Sequence, residues 1–225
     1  NQIDSVPNTQ LHSTPAIPQT STSSTPSDDP PPPTLLNWIQ HDNKPKKHFN
    51  KLNCIYTNAT SLNSTKLHEL IAITSIDKPH IIFISETWFT DTSNTIIPNY
   101  KVFRADRSTH GGGVAIYTRS DLRITELPFP HTYSEQLWLE LETINEKITL
   151  GCIYRPPSSS TISDKEIVNN MKLAKKRSKN GGLLVTGDFN FPNIVWGPEN
   201  YIEIAGPHTQ AAQNFTNIMT ELALT

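Results

Sequence analysis

The sequence predicts an α/β fold, and three patterns carry that prediction. A strand, a helix and a second strand follow one another between residues 52 and 85, as in a βαβ unit. The second of those strands, residues 80–85 (His-Ile-Ile-Phe-Ile-Ser), is apolar on both faces, so its sheet must be covered on both sides. Short strands joined as hairpins then precede a later helix–strand pair, which mixes antiparallel with parallel pairing.

The elements follow in order. Residues 1–33 are dominated by Ser, Thr, Pro, Asn and Gln and end in Pro30-Pro31-Pro32-Pro33. Such a stretch buries too little apolar surface to offset its ordering entropy, so it reads as disordered. Residues 34–48, with Lys44, Lys46 and Lys47, read as a linker, which makes 1–48 a tail and 49–225 the folded domain. Residues 52–56 form a buried strand, and 57–63 are turn-rich. Ser64 caps a helix over 66–75, whose Leu67, Leu70, Ile71 and Ile73 share one stripe, and Pro79 ends the unit. Strands follow at 101–104, 113–118, 136–141 and 147–153, the last two joined by a hairpin at Asn145-Glu146. Ser163-Asp164-Lys165-Glu166 matches a capping box and opens a basic helix to about residue 179. Gly181-Gly182 stops it, 183–186 is a strand, and a final helix starts near 209.

Bulk properties narrow the function. With a formal net charge of -2, attraction to nucleic acid has to come from local patches. Cys54 and Cys152 lie in apolar runs and read as buried free thiols. No charged start followed by an apolar run is present, and no stretch reaches the roughly 18 apolar residues of a membrane span. The chain starts at Asn1 and stops at Thr225 within a helical pattern, so a fragment at both ends is expected.

The residues able to do chemistry sit where strands end. Glu86 follows the apolar strand and suits a hard cation such as Mg²⁺, although a strand-ending Glu facing water is as common. Asp188 and Asn190 follow the strand at 183–186, past Gly187, with Phe189 between them directed to the core. An acceptor-only carboxylate beside an amide can position and deprotonate a water. An Asx turn explains the same residues taken singly. Tyr154 ends a strand before Arg155-Pro156-Pro157, where a phenol can meet a phosphate oxygen or simply pack at the sheet rim. Asn58, alone, is a turn residue. The glycines of His110-Gly111-Gly112-Gly113 read as a flexible turn, and Trp88 and Trp196 as packing residues, with exposed stacking on a base the lesser alternative.

Taken together, Ser85-Glu86-Thr87-Trp88, Ile153-Tyr154-Arg155-Pro156-Pro157 and Thr186-Gly187-Asp188-Phe189-Asn190 resemble the active-site strings of the endonuclease/exonuclease/phosphatase superfamily. The resemblance is closest to the apurinic-type endonuclease domain of non-LTR (LINE-like) retrotransposons and runs from about 49 to 225. It implies a four-layer α/β sandwich, two packed mixed β-sheets flanked by helices, incomplete at the C-terminus. It also implies Mg²⁺-dependent nicking of DNA, with Mn²⁺ equally suited, leaving a 3′-hydroxyl that a downstream reverse transcriptase in the same polyprotein extends. A DNA substrate implies nuclear or intracellular action. By resemblance Glu86 is the metal ligand, Asp188 activates the water, Asn190 holds water and phosphate, Tyr154 contacts phosphate and Asn58 supports the metal-bound water. Arg155 ranks lower, as a further phosphate ligand.

The chain departs from the pattern at two points. Thr60 stands where a basic residue is frequent, and the family's closing Ser-Asp-His string is absent; His208 precedes a helix and does not follow a strand. Two alternatives stay open: a phosphoesterase of the same superfamily acting on a phosphoinositide or lipid headgroup, and a non-catalytic remnant.

Overall fold

The structure, a computed structural model, describes residues 44–129, 133, 135–179, 181–197, 202–206 and 209–224. The Ser/Thr/Pro-rich segment 1–33 and His208 lie outside the described residues. The described residues all belong to the unit Ile39–Thr225. Its elements are β1 (Cys54–Asn58), α1 (Ser64–Asp77), β2 (Ile81–Ser85), β3 (Tyr100–Ala105), β4 (Val114–Arg119), β5 (Ile124–Glu126), β6 (Gln136–Glu142), β7 (Lys147–Tyr154), α2 (Thr161–Arg177), β8 (Leu183–Asp188), β9 (Ile194–Trp196), β10 (Ile202–Ile204) and α3 (Gln210–Glu221).

Two four-stranded sheets form, ordered β1-β2-β4-β3 and β5-β6-β7-β8. Each is mixed: β1 runs parallel to β2 and β7 to β8, and the remaining pairs are antiparallel. A parallel neighbour requires a crossover, which α1 and α2 supply. Alternation along β2 then builds the layers. Ile81 and Phe83 enter a core shared with Leu139, Leu150 and Cys152 of the second sheet. Ile82 and Ile84 enter a separate core with Leu67 and Leu70 of α1. All four β2 side chains are fully buried, each contributing about 1.5–3 kcal/mol. On the far side, Trp138 and Ile153 pack against Ile167 and Met171 of α2 and Phe215 of α3. The result is the four-layer sandwich, helix, sheet, sheet, helices. Among the described residues no helix is long and apolar enough to cross a membrane.

Several boundaries differ from the sequence reading, each for a local reason. Asn63, not Ser64, caps α1, because its extended backbone lets Oδ1 accept the Lys66 amide at 3.1 Å. Ser160, not Ser163, caps α2 by accepting the Ser163 amide at 3.1 Å, and Asp164 falls in the first turn. β1 runs two residues further than expected and ends on Asn58, and β8 extends through Gly187 to Asp188. Gly187 is therefore a strand residue, not a turn. A Cβ there would lie 1.9 Å from the Ile153 carbonyl oxygen, so only glycine lets β7 and β8 approach. The short strands β5, β9 and β10, three residues each, carry too little alternation to be read from sequence. Lys47, in the linker by composition, is bridged to Thr143. Both cysteines are free: Cys152 is buried and Cys54 half-buried.

Candidate active site

Because both crossovers are parallel, the C-terminal ends of β1, β2, β7 and β8 carry the candidate residues. Register pairs Asn58 with Ser85 across β1–β2, and Tyr154 with Asp188 across β7–β8. β1 and β8 are the edges of their sheets and meet at these ends. The Asn58 Nδ2 donates to Asp188 Oδ2 at 2.9 Å and to Glu86 Oε1 at 3.1 Å. Its own Oδ1 accepts the Thr60 amide at 2.9 Å, which fixes the orientation of the amide group.

Glu86 leaves the sheet through a left-handed backbone, φ 53°, unusual for a non-glycine residue. The surrounding backbone holds it there. Ser61 N donates to Glu86 O and Leu62 N to Thr87 O, both at 2.9 Å. On the other side Trp88 N donates to Gly112 O at 3.0 Å. The glycine string is thus a clamp on the Glu86 loop. A Cβ on Gly112 would fall 2.0 Å from Oε1 of Glu135, the carboxylate that also accepts the Gly113 amide at 3.1 Å. Glu135 is a site-supporting residue that the sequence did not announce, since nothing in its neighbourhood marks a buried carboxylate. Burial raises its pKa above the usual carboxylate range.

Tyr154 is 7% exposed and lies beside Glu86. Burial first, and then the negative charge of Glu86 and Asp188, push its hydroxyl up to about 12. Tyr56, on the wall of the same end, is pushed up to about 12, again chiefly by burial; its hydroxyl lies 3.0 Å from Ser85 Oγ. The Asn190 amide donates to Asp188 Oδ1 at 3.1 Å, an Asx turn, so the turn geometry and the functional grouping are one arrangement. Phe189 packs on Phe215 with ring centroids 4.8 Å apart. Hydrogen bonds therefore link Glu86, Asn58, Asp188 and Asn190, with Tyr154 beside Glu86.

Arg155 does not join them. It is 6% exposed, and Asp164 takes its Nε at 2.7 Å and its Nη2 at 3.1 Å. Its Nη1 donates to the carbonyls of Phe189 and Asn190, at 3.3 and 3.1 Å, and its guanidinium lies 3.9 Å from the Phe191 ring centroid. The Arg155 carbonyl accepts Asn190 Nδ2 at 2.8 Å. The side chain expected on phosphate is turned inward and positions the Asp188–Asn190 loop. The two tryptophans also part company: Trp88 packs against His110 with tilted rings 4.5 Å apart, whereas Trp196, expected to pack, is 53% exposed.

Two carboxylates share one neutral amide donor here, and among the described residues no lysine or arginine forms an ion pair with either. That donor set suits a divalent cation held by one or two carboxylates and several waters, as Mg²⁺ prefers. Among the described residues no group of three His, Cys, Asp or Glu side chains forms a closed metal cage.

The profile of the Endonuclease/Exonuclease/phosphatase family matches residues 49–205, more than half of the chain. Among solved structures, the endonuclease domain of TRAS1, a telomere-specific non-LTR retrotransposon, is 17% identical, with a TM-score of 0.55 over 75% of this chain and 71% of that one. The 3′-5′ exonuclease NExo of Neisseria meningitidis is 14% identical, with a TM-score of 0.51 over 75% and 70%. At such identities the likeness is one of fold. No curated protein sequence matches the chain.

Proposed function

Since the chain belongs to the Endonuclease/Exonuclease/phosphatase family, we propose that it hydrolyses phosphodiester bonds of DNA, nicking one strand to leave a 3′-hydroxyl of the kind a reverse transcriptase extends. The observation that carries the reading is the Asn58 amide between Glu86 and Asp188. It joins the ends of two sheets into one acidic cleft.

Glu86, steadied by Asn58, would hold a divalent cation, Mg²⁺ or Mn²⁺, which when bound would neutralise charge building on the phosphate and leaving oxygen. Asp188 orients a water in line with the phosphorus and accepts its proton. As the water oxygen bonds to phosphorus, the bond to the 3′ oxygen breaks, and that oxygen takes its proton from solvent water. Asn190 fixes the Asp188 carboxylate through its backbone amide. Tyr154 stays a neutral donor through neutral pH, because its hydroxyl is pushed up to about 12. Asn58 orients both carboxylates without adding charge.

Supercoiled plasmid with Mg²⁺, with and without chelator, tests the proposal. Nicking that the chelator stops, and that Glu86→Gln and Asp188→Asn abolish, supports it. Undiminished nicking in both variants refutes it, and turnover of inositol phosphates without plasmid nicking moves the activity to a small phosphoester.

A further inference from the structure

Trp196 is the largest exposed aromatic side chain beside the catalytic cleft, 53% exposed at one end of the β9–β10 ribbon. It lines a cavity of about 770 Å³ whose wall also includes Asp188 and Asn190. Tyr56, 41% exposed, reaches the same cavity from the first sheet. The position of the indole is set from below. Its ring meets Phe215 edge-on at 6.5 Å, and Phe215 also packs on Phe189 at 4.8 Å and on Phe191 at 4.9 Å. Phe189 and Phe191 flank Asn190 in the chain. One aromatic cluster therefore ties the Trp196 ring to the loop that carries Asp188 and Asn190.

Beyond its edge contact with Phe215 the exposed part of the indole adds nothing to the core, while its face is a stacking platform for any nucleobase. The neighbours of Trp196 in this cavity include apolar residues such as Met219 and Leu224, which suit a flat, weakly hydrated ring better than a phosphate. A phosphate would sit instead at the Glu86–Asp188 pair, through the cation that pair would hold, and Asp188 lines the same cavity. Resting on the DNA-nicking reading above, the geometry points to Trp196 as a substrate-contacting residue that stacks an unpaired nucleobase next to the scissile phosphate, with Tyr56 on the facing wall. The substrate class is then a strand with an unstacked base at the cut, in preference to a fully paired duplex. A base held in a duplex presents only its edges, so the indole has no face to meet.

The test is a binding titration in chelator, followed by tryptophan fluorescence and by anisotropy of labelled oligonucleotide. The probes are oligo(dT) and an abasic oligonucleotide of equal length, which keeps the phosphates and removes the bases. Oligo(dT) binds the intact chain and quenches its fluorescence. Trp196→Ala weakens that binding about ten- to a hundredfold, and Trp196→Phe restores it to within about threefold. The abasic strand binds the intact chain as weakly as oligo(dT) binds Trp196→Ala. Equal affinity of Trp196→Ala and the intact chain for oligo(dT), equal affinity of the intact chain for the two probes, or no oligo(dT) binding overturns the inference. A protein that nicks plasmid through Glu86 yet shows no base dependence loses only this inference. Nicking indifferent to Glu86→Gln refutes the nicking mechanism whatever Trp196 does.

Discussion

Asn58 Nδ2 lies 2.9 Å from Asp188 Oδ2, joining residues 130 positions apart in the chain. The same nitrogen lies 3.1 Å from Glu86, so one neutral side chain sets the spacing of two like charges. Asn58→Ala removes that donor and leaves the carboxylates to repel. The expected loss in the rate of metal-dependent nicking is about a hundred- to a thousandfold, the scale of removing one preorganised donor. Because Asn58 is exposed, the urea midpoint should barely move. Rate and midpoint measured on one preparation separate a positioning role from a folding defect.

Glu86→Gln keeps the shape of the side chain and removes its charge. Calorimetric titration with Mn²⁺ should show the intact chain binding one ion and Glu86→Gln binding it at least about tenfold more weakly. Equal affinity in the two proteins would detach Glu86 from the metal.

Arg155 separates two roles that its motif leaves open. As a buried partner of Asp164 it should matter to folding: Arg155→Ala strands a carboxylate and costs about 3–5 kcal/mol. Arg155→Lys keeps the charge but not the two-pronged contact, so it falls between. Chemical denaturation reads both. A phosphate ligand would behave otherwise, raising KM with stability intact.

Gly187→Ala tests the close approach of β7 and β8. The added Cβ would meet the Ile153 carbonyl oxygen at 1.9 Å, and the backbone φ of 151° disfavours any side chain. Strain of this kind costs about 1–3 kcal/mol before the clash is counted. Thermal unfolding should show the loss, and nicking should fall with it, because the neighbouring Asp188 shifts.

Alkaline stability follows from the phenols. Burial raises Tyr56 and Tyr154 to about 12, against an ordinary value of about 10. Between those values the unfolded chain loses protons that the folded chain keeps. The phenols' contribution to stability is therefore whole below about pH 10 and falls as pH rises toward 12. The buried thiols of Cys54 and Cys152, raised to about 11 and about 12, act in the same direction. Tyr154→Phe should flatten part of the decline, which denaturation at stepped pH will record. A decline as steep as in the intact chain would place the Tyr154 hydroxyl in an ordinary environment.

Much of the site was legible because its chemistry is written in short contiguous strings. Glu86 follows a doubly apolar strand, and Asp188 and Asn190 follow another, so their exit from the core could be read from alternation alone. The orientation of Arg155 could not be read that way. Its partner Asp164 looked like part of a capping box until Ser160 took the cap. The exposure of Trp196 was hidden for a related reason: the three-residue strands that turn it outward are too short to leave a pattern.

The sequence by itself determined the α/β class, the covered strand β2, the strand ends that bear Glu86, Tyr154 and Asp188, and the motifs that mark the family. These depend on residue type and spacing over a few positions, where sterics and burial act locally. Only the tertiary structure decided that Asn58 meets Asp188, that Arg155 turns inward and that Trp196 faces the cleft. Each of these depends on two sheet edges, a helix cap or a short ribbon coming together, and packing between distant segments sets their positions.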